Sequence, residues 1–168
     1  MYDWNWGSTD DIMDWIEEGV SIINYRGEGW YSGWNPSGGS FDYGDVQNLD
    51  NVNILPVITS IGCGVGMFDG YSNSFCHTWM TVGSPTEHKG AVAFLGPTFN
   101  TRTIINNWID RGLYRGFCYH DVTRSGATTV YGKLYGYDYL YDYDPSGQSQ
   151  ADFRENLETH LREFTLHG

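Results

Sequence analysis

Apolar residues along this chain form two kinds of pattern, which alternate. Short apolar runs occupy residues 20–25, 53–61 and 90–95, and such runs are typical of strands buried in a parallel sheet. Apolar residues recurring every three or four positions predict helices over residues 9–18, 73–82, 101–117, 128–141 and 150–166. A single helical turn is expected at 43–49, inside a loop-like stretch from 31 to 52. The alternation predicts an α/β fold built on a parallel sheet.

Size and charge restrict the classes of protein that fit. A chain of 168 residues and 19.1 kDa is long enough for one domain with a substantial core. Its formal net charge of −12 disfavours nucleic acid and anionic membrane surfaces as partners. No apolar run is long enough to predict a membrane span, and the three cysteines, Cys63, Cys76 and Cys118, allow at most one disulfide bond.

Two predicted strands end in turns that hold a reactive residue between glycines. These turns are Gly27-Glu28-Gly29 and Gly62-Cys63-Gly64. Because the carboxyl ends of parallel strands meet at one edge of a sheet, both turns are expected beside the same crevice. Cys63 is then a candidate nucleophile, whose thiolate would attack a carbonyl carbon to form an acyl-enzyme. The alternative is that Cys63 is a small buried apolar residue.

The segment from Gly19 to Gly96 resembles the gingipain-type cysteine peptidases. The features that carry the resemblance occur in the family's order: Ile22-Ile23-Asn24-Tyr25 leading into a Gly-x-Gly turn, a strand begun by Leu55-Pro56 and ended by Cys63, Gly66-Met67-Phe68, a helix over Phe75 to Met80, and Gly90 to Phe94. The resemblance implies a caspase-like fold, a three-layer sandwich in which helices flank a mainly parallel sheet. It also implies a cysteine endopeptidase that needs no cofactor.

The same resemblance carries expectations about the whole protein. Family catalytic domains are longer, so residues 1–145 are expected to form a peptidase subdomain that is a fragment of a longer domain, with a C-terminal helix over 146–168. No signal peptide follows Met1, which fits a fragment. The implied partners are a polypeptide substrate and the N-terminal part of the catalytic domain. The implied location of the full-length form is extracellular or on the cell surface.

Glu28 stands where the family has its catalytic histidine. A carboxylate, with a usual pKa of about 4.3, is a weaker base than an imidazole at about 6.5, so accepting a proton from a thiol costs roughly 3 kcal/mol more. A neighbouring carboxylate also disfavours the thiolate by repulsion. Glu28 is therefore a poor replacement for the family histidine.

Two alternative functions follow for the chain. One hypothesis is a catalytically inactive homologue that acts as a peptide-binding or surface-assembly module, and another is an acyl hydrolase that turns over esters but not peptides.

His77 offers a way in which the site could still work. It stands where the family commonly has an acid, so His77 could serve as the base with Glu28 orienting its ring. The alternative is a surface or packing histidine. His88 and His120, both in predicted loops, are lesser candidates.

The remaining site predictions concern binding. If the family geometry holds, the backbone N–H groups of Gly29 and Cys63 form an oxyanion hole. Trp30 and Trp34, with Tyr31 between them, either line a substrate pocket or pack the loop onto the domain.

An acidic stretch near the end of the chain has the spacing of a calcium loop. Its candidate ligands are Asp142, Asp144, Ser146 and Asp152. The twelfth position holds Phe153 in place of the glutamate that such loops require. A solvated acidic turn is the simpler interpretation.

Overall fold

The structure of the protein is a computed structural model that describes residues 8–35, 39–69, 73–141 and 150–168. The helices along the chain are α1 (Thr9–Gly19), α2 (Tyr43–Asn48), α3 (Phe75–Thr81), α4 (Thr103–Tyr119), α5 (Ser125–Leu140) and α6 (Gln150–Glu163). The strands are β1 (Ile22–Arg26), β2 (Gly29–Trp30), β3 (Gly33–Trp34), β4 (Phe41–Asp42), β5 (Val57–Ile61), β6 (Ala93–Pro97) and β7 (Phe164–His167).

The main sheet has the strand order β1-β5-β6-β7. Strands β1, β5 and β6 are parallel, with Arg26 opposite Ile61 and Thr59 opposite Leu95. Strand β7 closes the far side antiparallel to β6. The predicted α/β fold with a mainly parallel sheet is therefore confirmed.

Helices cover both faces of this sheet, which gives the three layers. Ile58 and Phe94 point to the face covered by α1, α2 and α3, where they join a core that contains Phe75 and Trp79. Ile61 and Leu95 point to the other face, where α4, α5 and α6 supply the core residues Ile105, Ile109, Leu113, Leu140, Phe153 and Leu157. Because successive strand residues face opposite sides, one apolar run serves both cores.

Local sequence explains where the first elements begin and end. The Ser8 hydroxyl accepts the Asp11 N–H while the Asp11 carboxylate accepts the Ser8 N–H, which forms a capping box at the start of α1. Asp42 and Asp45 repeat this arrangement at α2. Gly19 adopts φ +105° at the end of α1, a conformation that glycine tolerates without strain.

Strands β5 and β6 begin later than predicted, at Val57 and Ala93, and in two other places the type of element differs from the sequence prediction. The stretch from 31 to 52, expected to be mostly loop, holds the small antiparallel sheet β2-β3-β4. The helix predicted to reach 166 ends at Glu163, and residues 164–167 pair with β6 instead. Phe164 is buried against the second core while edge pairing satisfies the backbone, so the predicted C-terminal helix over 146–168 is wrong for its last residues.

No helix among the described residues combines the length and apolar character that a bilayer crossing requires.

Candidate active site

The two glycine turns meet at the carboxyl edge of the sheet. Arg26 and Ile61 are register partners at the ends of β1 and β5, so the turns that follow lie side by side. A Cβ atom on Gly62 would lie 3.0 Å from the Gly27 carbonyl oxygen and 3.5 Å from the Gly29 nitrogen. Glycine at position 62 thus allows the turns to approach this closely.

Cys63 lies half-buried at this edge, as a free thiol. Its Sγ atom is 3.6 Å from the Thr101 carbonyl oxygen and 3.9 Å from Thr101 Oγ1. The loop that carries it is tied to the segment after β6, because Gly64 N–H donates to the Phe99 carbonyl at 3.0 Å and Gly66 N–H to the Pro97 carbonyl at 2.9 Å. These bonds fix the loop on which the thiol is carried.

Glu28 is exposed beside the same edge. Its backbone carbonyl accepts hydrogen bonds from the Tyr25 hydroxyl at 2.5 Å and from the Asn35 N–H at 2.9 Å. Burial raises the pKa of Tyr25, and the Glu28 charge adds to that rise. Among the described residues, no hydrogen bond links Glu28 to Cys63.

His77 lies on the exposed side of α3. Its neighbours Cys76, Thr78 and Trp79 are buried, so the side of the helix opposite His77 packs into the first core. Ser74 caps this helix by accepting the His77 N–H at 3.3 Å. No hydrogen bond joins the His77 ring to Cys63 within the part of the chain that the structure describes.

The two lesser histidine candidates lie elsewhere. The His88 carbonyl accepts the N–H of Asn53, a residue that precedes β5 and so lies at the opposite end of the sheet from Cys63. His120 follows the last residue of the 17-residue helix α4, whose length is about 25 Å, while Thr101, beside the thiol, precedes its first residue. Both are therefore remote from the thiol.

The two tryptophans have different environments. The ring of Trp30 lies over the turn, because a Cβ on Gly64 would be 2.7 Å from its Cε3 atom. Trp34 is only 2% exposed, stacks on Tyr25 at a centroid distance of 4.7 Å, and donates from Nε1 to Ser60 Oγ at 2.7 Å. The prediction that Trp34 contacts substrate is therefore wrong, since its surface is used to pack the loop onto the sheet. Trp30 remains a candidate wall of the cleft.

The two candidate oxyanion donors lie within one pair of turns. The Cys63 N–H donates to no acceptor among the described residues, whereas the N–H groups of Gly64 and Gly66 are bonded. The Gly29 nitrogen adjoins Gly62, since a Cβ atom on Gly62 would lie 3.5 Å from it. This proximity is compatible with two donors aimed at one oxyanion.

Thr101 is the site residue that the sequence did not reveal. It is 38 residues from Cys63 and reaches it through the β6 to α4 connection. The sequence offered one signal, its place just before a predicted helix that follows a strand.

No group of metal-ligating side chains occurs within residues 8–35, 39–69, 73–141 and 150–168. The calcium candidates Asp142, Asp144 and Ser146 lie outside the described residues.

Comparison with known proteins places the chain in a family. It matches the model of peptidase family C25 over residues 3–168, and it therefore belongs to that family. Gingipain R2 and gingipain R1 of Porphyromonas gingivalis are each 31% identical to it over 90 residues, which cover 54% of this chain and 12% and 9% of those proteins.

The fold comparison agrees with this assignment. The crystal structure of the Arg specific cysteine proteinase gingipain R superimposes with a TM-score of 0.80 at 21% identity, over 96% of this chain and 35% of that one. A complex of the RgpB pro- and mature domains from P. gingivalis gives 0.78 at 21% identity, over 96% of this chain and 36% of that one. This chain thus spans about a third of the solved relatives.

Proposed function

We propose that this protein is a cysteine endopeptidase of the gingipain type, with Cys63 as its nucleophile. The observation that carries the proposal is the position of the Cys63 thiol, half-exposed where the turns after β1 and β5 meet. Family membership supports the same chemistry. The Cys63 sulfur forms a bond to the peptide carbonyl carbon, the amine leaves with a proton, and water then hydrolyses the acyl-enzyme.

The proton that leaves the thiol needs an acceptor that can return it to the amine. Glu28 and His77 are the two candidates, and in this structure neither bonds to Cys63. The backbone N–H groups of Gly29 and Cys63 would stabilise the tetrahedral oxyanion. Trp30, over Gly64, would form an apolar wall beside the scissile bond.

A catalytically inactive homologue is the second candidate function. Two observations favour it: Glu28 occupies the turn in which the resemblance places a histidine, and among the described residues neither Glu28 nor His77 forms a hydrogen bond with the Cys63 sulfur, whose partner is Thr101. Such a protein could keep the cleft and bind peptide without turning it over, since binding and transition-state stabilisation are separable.

The setting of the site follows from the same proposal. The ligand would be a polypeptide, and the chain would work together with the N-terminal part of a longer catalytic domain, outside the cell or on its surface. The chemistry assigned to Cys63 requires no cofactor. Calcium binding at Asp142 and Asp144 would be a separate, structural property.

Hydrolysis of a quenched-fluorescence peptide library tests the two functions against each other. The peptidase proposal predicts turnover by the wild type and none by Cys63→Ala. Turnover abolished by His77→Ala but only reduced by Glu28→Gln would identify His77 as the base, and the reverse would identify Glu28. A wild type without turnover, in which Glu28→His creates activity, would establish the inactive homologue. Turnover of esters but not peptides would contradict both.

A further inference from the structure

Thr101 makes two contacts with the candidate nucleophile. The Sγ atom of Cys63 lies 3.6 Å from its carbonyl oxygen and 3.9 Å from its hydroxyl oxygen. Sulfur is both a weak donor and a weak acceptor, so one residue can accept from the thiol and donate to it. The carbonyl can only accept, which assigns the thiol proton to that contact.

Asn106 determines the direction of the second contact. Its Nδ2 atom lies 2.8 Å from Thr101 Oγ1, and an amide nitrogen can only donate. The Thr101 hydroxyl therefore accepts from Asn106, which leaves its own proton for another acceptor. Within the described residues, Cys63 Sγ is the other side-chain hydrogen-bond partner of this hydroxyl. Asn106 is 7% exposed, so its bond is shielded from water.

The position of Thr101 in the chain adds a further effect. It lies two residues before Thr103, the first residue of α4, and Asn106 ties it to the first turn of that helix. The Cys63 sulfur therefore lies beside the start of a 17-residue helix, where the helix dipole favours negative charge.

We propose that Thr101 is a positioning residue for Cys63. In the resting protein its carbonyl accepts the thiol proton and holds the sulfur in place. When a base removes that proton, the Thr101 hydroxyl donates to the thiolate, with Asn106 keeping the hydroxyl aligned. The proposal deepens the proposed function, on which it rests for the role of Cys63 as nucleophile.

Alkylation by iodoacetamide tests this without requiring peptide turnover. The thiolate forms a sulfur–carbon bond and displaces iodide, so its rate follows the amount of thiolate. The experiment uses the full chain with Cys118→Ser, because Cys118 is exposed, while Cys76 is 1% exposed and protected. Cys63→Ala in that background serves as the blank, and intact mass gives the rate from pH 5.5 to 10.

Thr101→Val removes the hydroxyl at nearly constant shape, and Thr101→Ser is the matched control that keeps it. Loss of one hydrogen bond to a charged sulfur should move the midpoint of the Val profile up by about one pH unit. At a pH well below both midpoints the rate should fall about threefold, because tenfold less thiolate is partly offset by a more nucleophilic sulfur. Thr101→Ser should retain the wild-type midpoint.

Thr101→Ala provides a second hydroxyl-free variant, and whichever of the two shows wild-type circular dichroism decides the result. A wild-type midpoint in the folded variant would overturn the proposal, as would a Ser variant shifted as far as Val. The peptide assay is read separately. A shifted midpoint without any peptide turnover would support the positioning role of Thr101 and count against the peptidase function. Peptide turnover with an unshifted midpoint would support the peptidase function and count against the positioning role of Thr101.

Discussion

Gly64 is the position where one added methyl group should most directly disturb the candidate site. It follows Cys63, is buried, and adopts φ +63°. An alanine there would pay about 1 to 2 kcal/mol for the left-handed conformation. Its Cβ would also lie 2.7 Å and 2.8 Å from two ring carbons of Trp30, and relieving such an overlap costs about 1 to 3 kcal/mol.

Gly64→Ala should therefore reduce the free energy of unfolding by about 2 to 5 kcal/mol. In a Trp30→Ala background the overlap is removed, so the same substitution should cost only about 1 to 2 kcal/mol. Gly126→Ala is the control, since it lies in α5 and its added Cβ would meet nothing nearer than a Leu166 carbon at 3.9 Å. That change should be neutral or stabilising by up to about 1 kcal/mol.

Urea unfolding followed by tryptophan fluorescence and circular dichroism gives the free energies of all four variants. A loss below about 0.5 kcal/mol for Gly64→Ala, which is the range of ordinary surface substitutions, would refute the reasoning. An equal loss in both backgrounds would show that the Trp30 contact carries no part of the cost.

Three further predictions follow from burial. Trp34→Phe should reduce the free energy of unfolding by about 2 to 4 kcal/mol, because it removes core volume and leaves the Ser60 hydroxyl unpaired; in urea titrations an unchanged midpoint would contradict this. Burial raises the pKa of Cys76 to about 12, so iodoacetamide at pH 8 should modify Cys118 in the native protein and Cys76 only in urea, as peptide mapping would show. Burial lowers the pKa of His167, so as the pH drops below about 6.5 the unfolded chain protonates this residue before the folded chain does, and the free energy of unfolding should fall. His167→Gln should make the melting temperature decline less between pH 7.5 and 5.5. An unaltered slope would exclude His167 as the source of the decline.

The strands that are buried between two layers of helices could be predicted from the sequence. Helices cover both faces of the sheet at β1, β5 and β6, so each strand lies in a largely apolar run, although Asn24 and Arg26 of the edge strand β1 are exposed. The two-residue strands β2, β3 and β4 are too short to leave a periodic pattern. β7 was missed because Leu157, Leu161 and Phe164 continue a helical spacing, and only pairing with β6 decides the conformation.

The site was predictable where chain geometry alone determines it. Glycines around Glu28 and Cys63 marked two strand ends, and parallel strands bring such ends together. Side-chain direction was not predictable in this way. Trp34 is buried in the core because its ring stacks on Tyr25 and its Nε1 donates to the Ser60 hydroxyl. The contact of Thr101 with Cys63 depends on where α4 begins relative to β5, which no local pattern encodes.

Covalent labelling by a peptide electrophile tests whether Cys63 is a nucleophile in a cleft that binds peptide. The Cys118→Ser protein would be incubated with a mixture of peptidyl chloromethyl ketones at neutral pH and analysed by intact mass and peptide mapping. We expect one adduct, located on Cys63 and absent from the Cys63→Ala variant, formed faster than by chloroacetone, which has the same chloromethyl ketone group without the peptide. No adduct on a folded protein, or labelling no faster than by chloroacetone, would contradict the assignment of this cleft as a peptide-directed nucleophilic site.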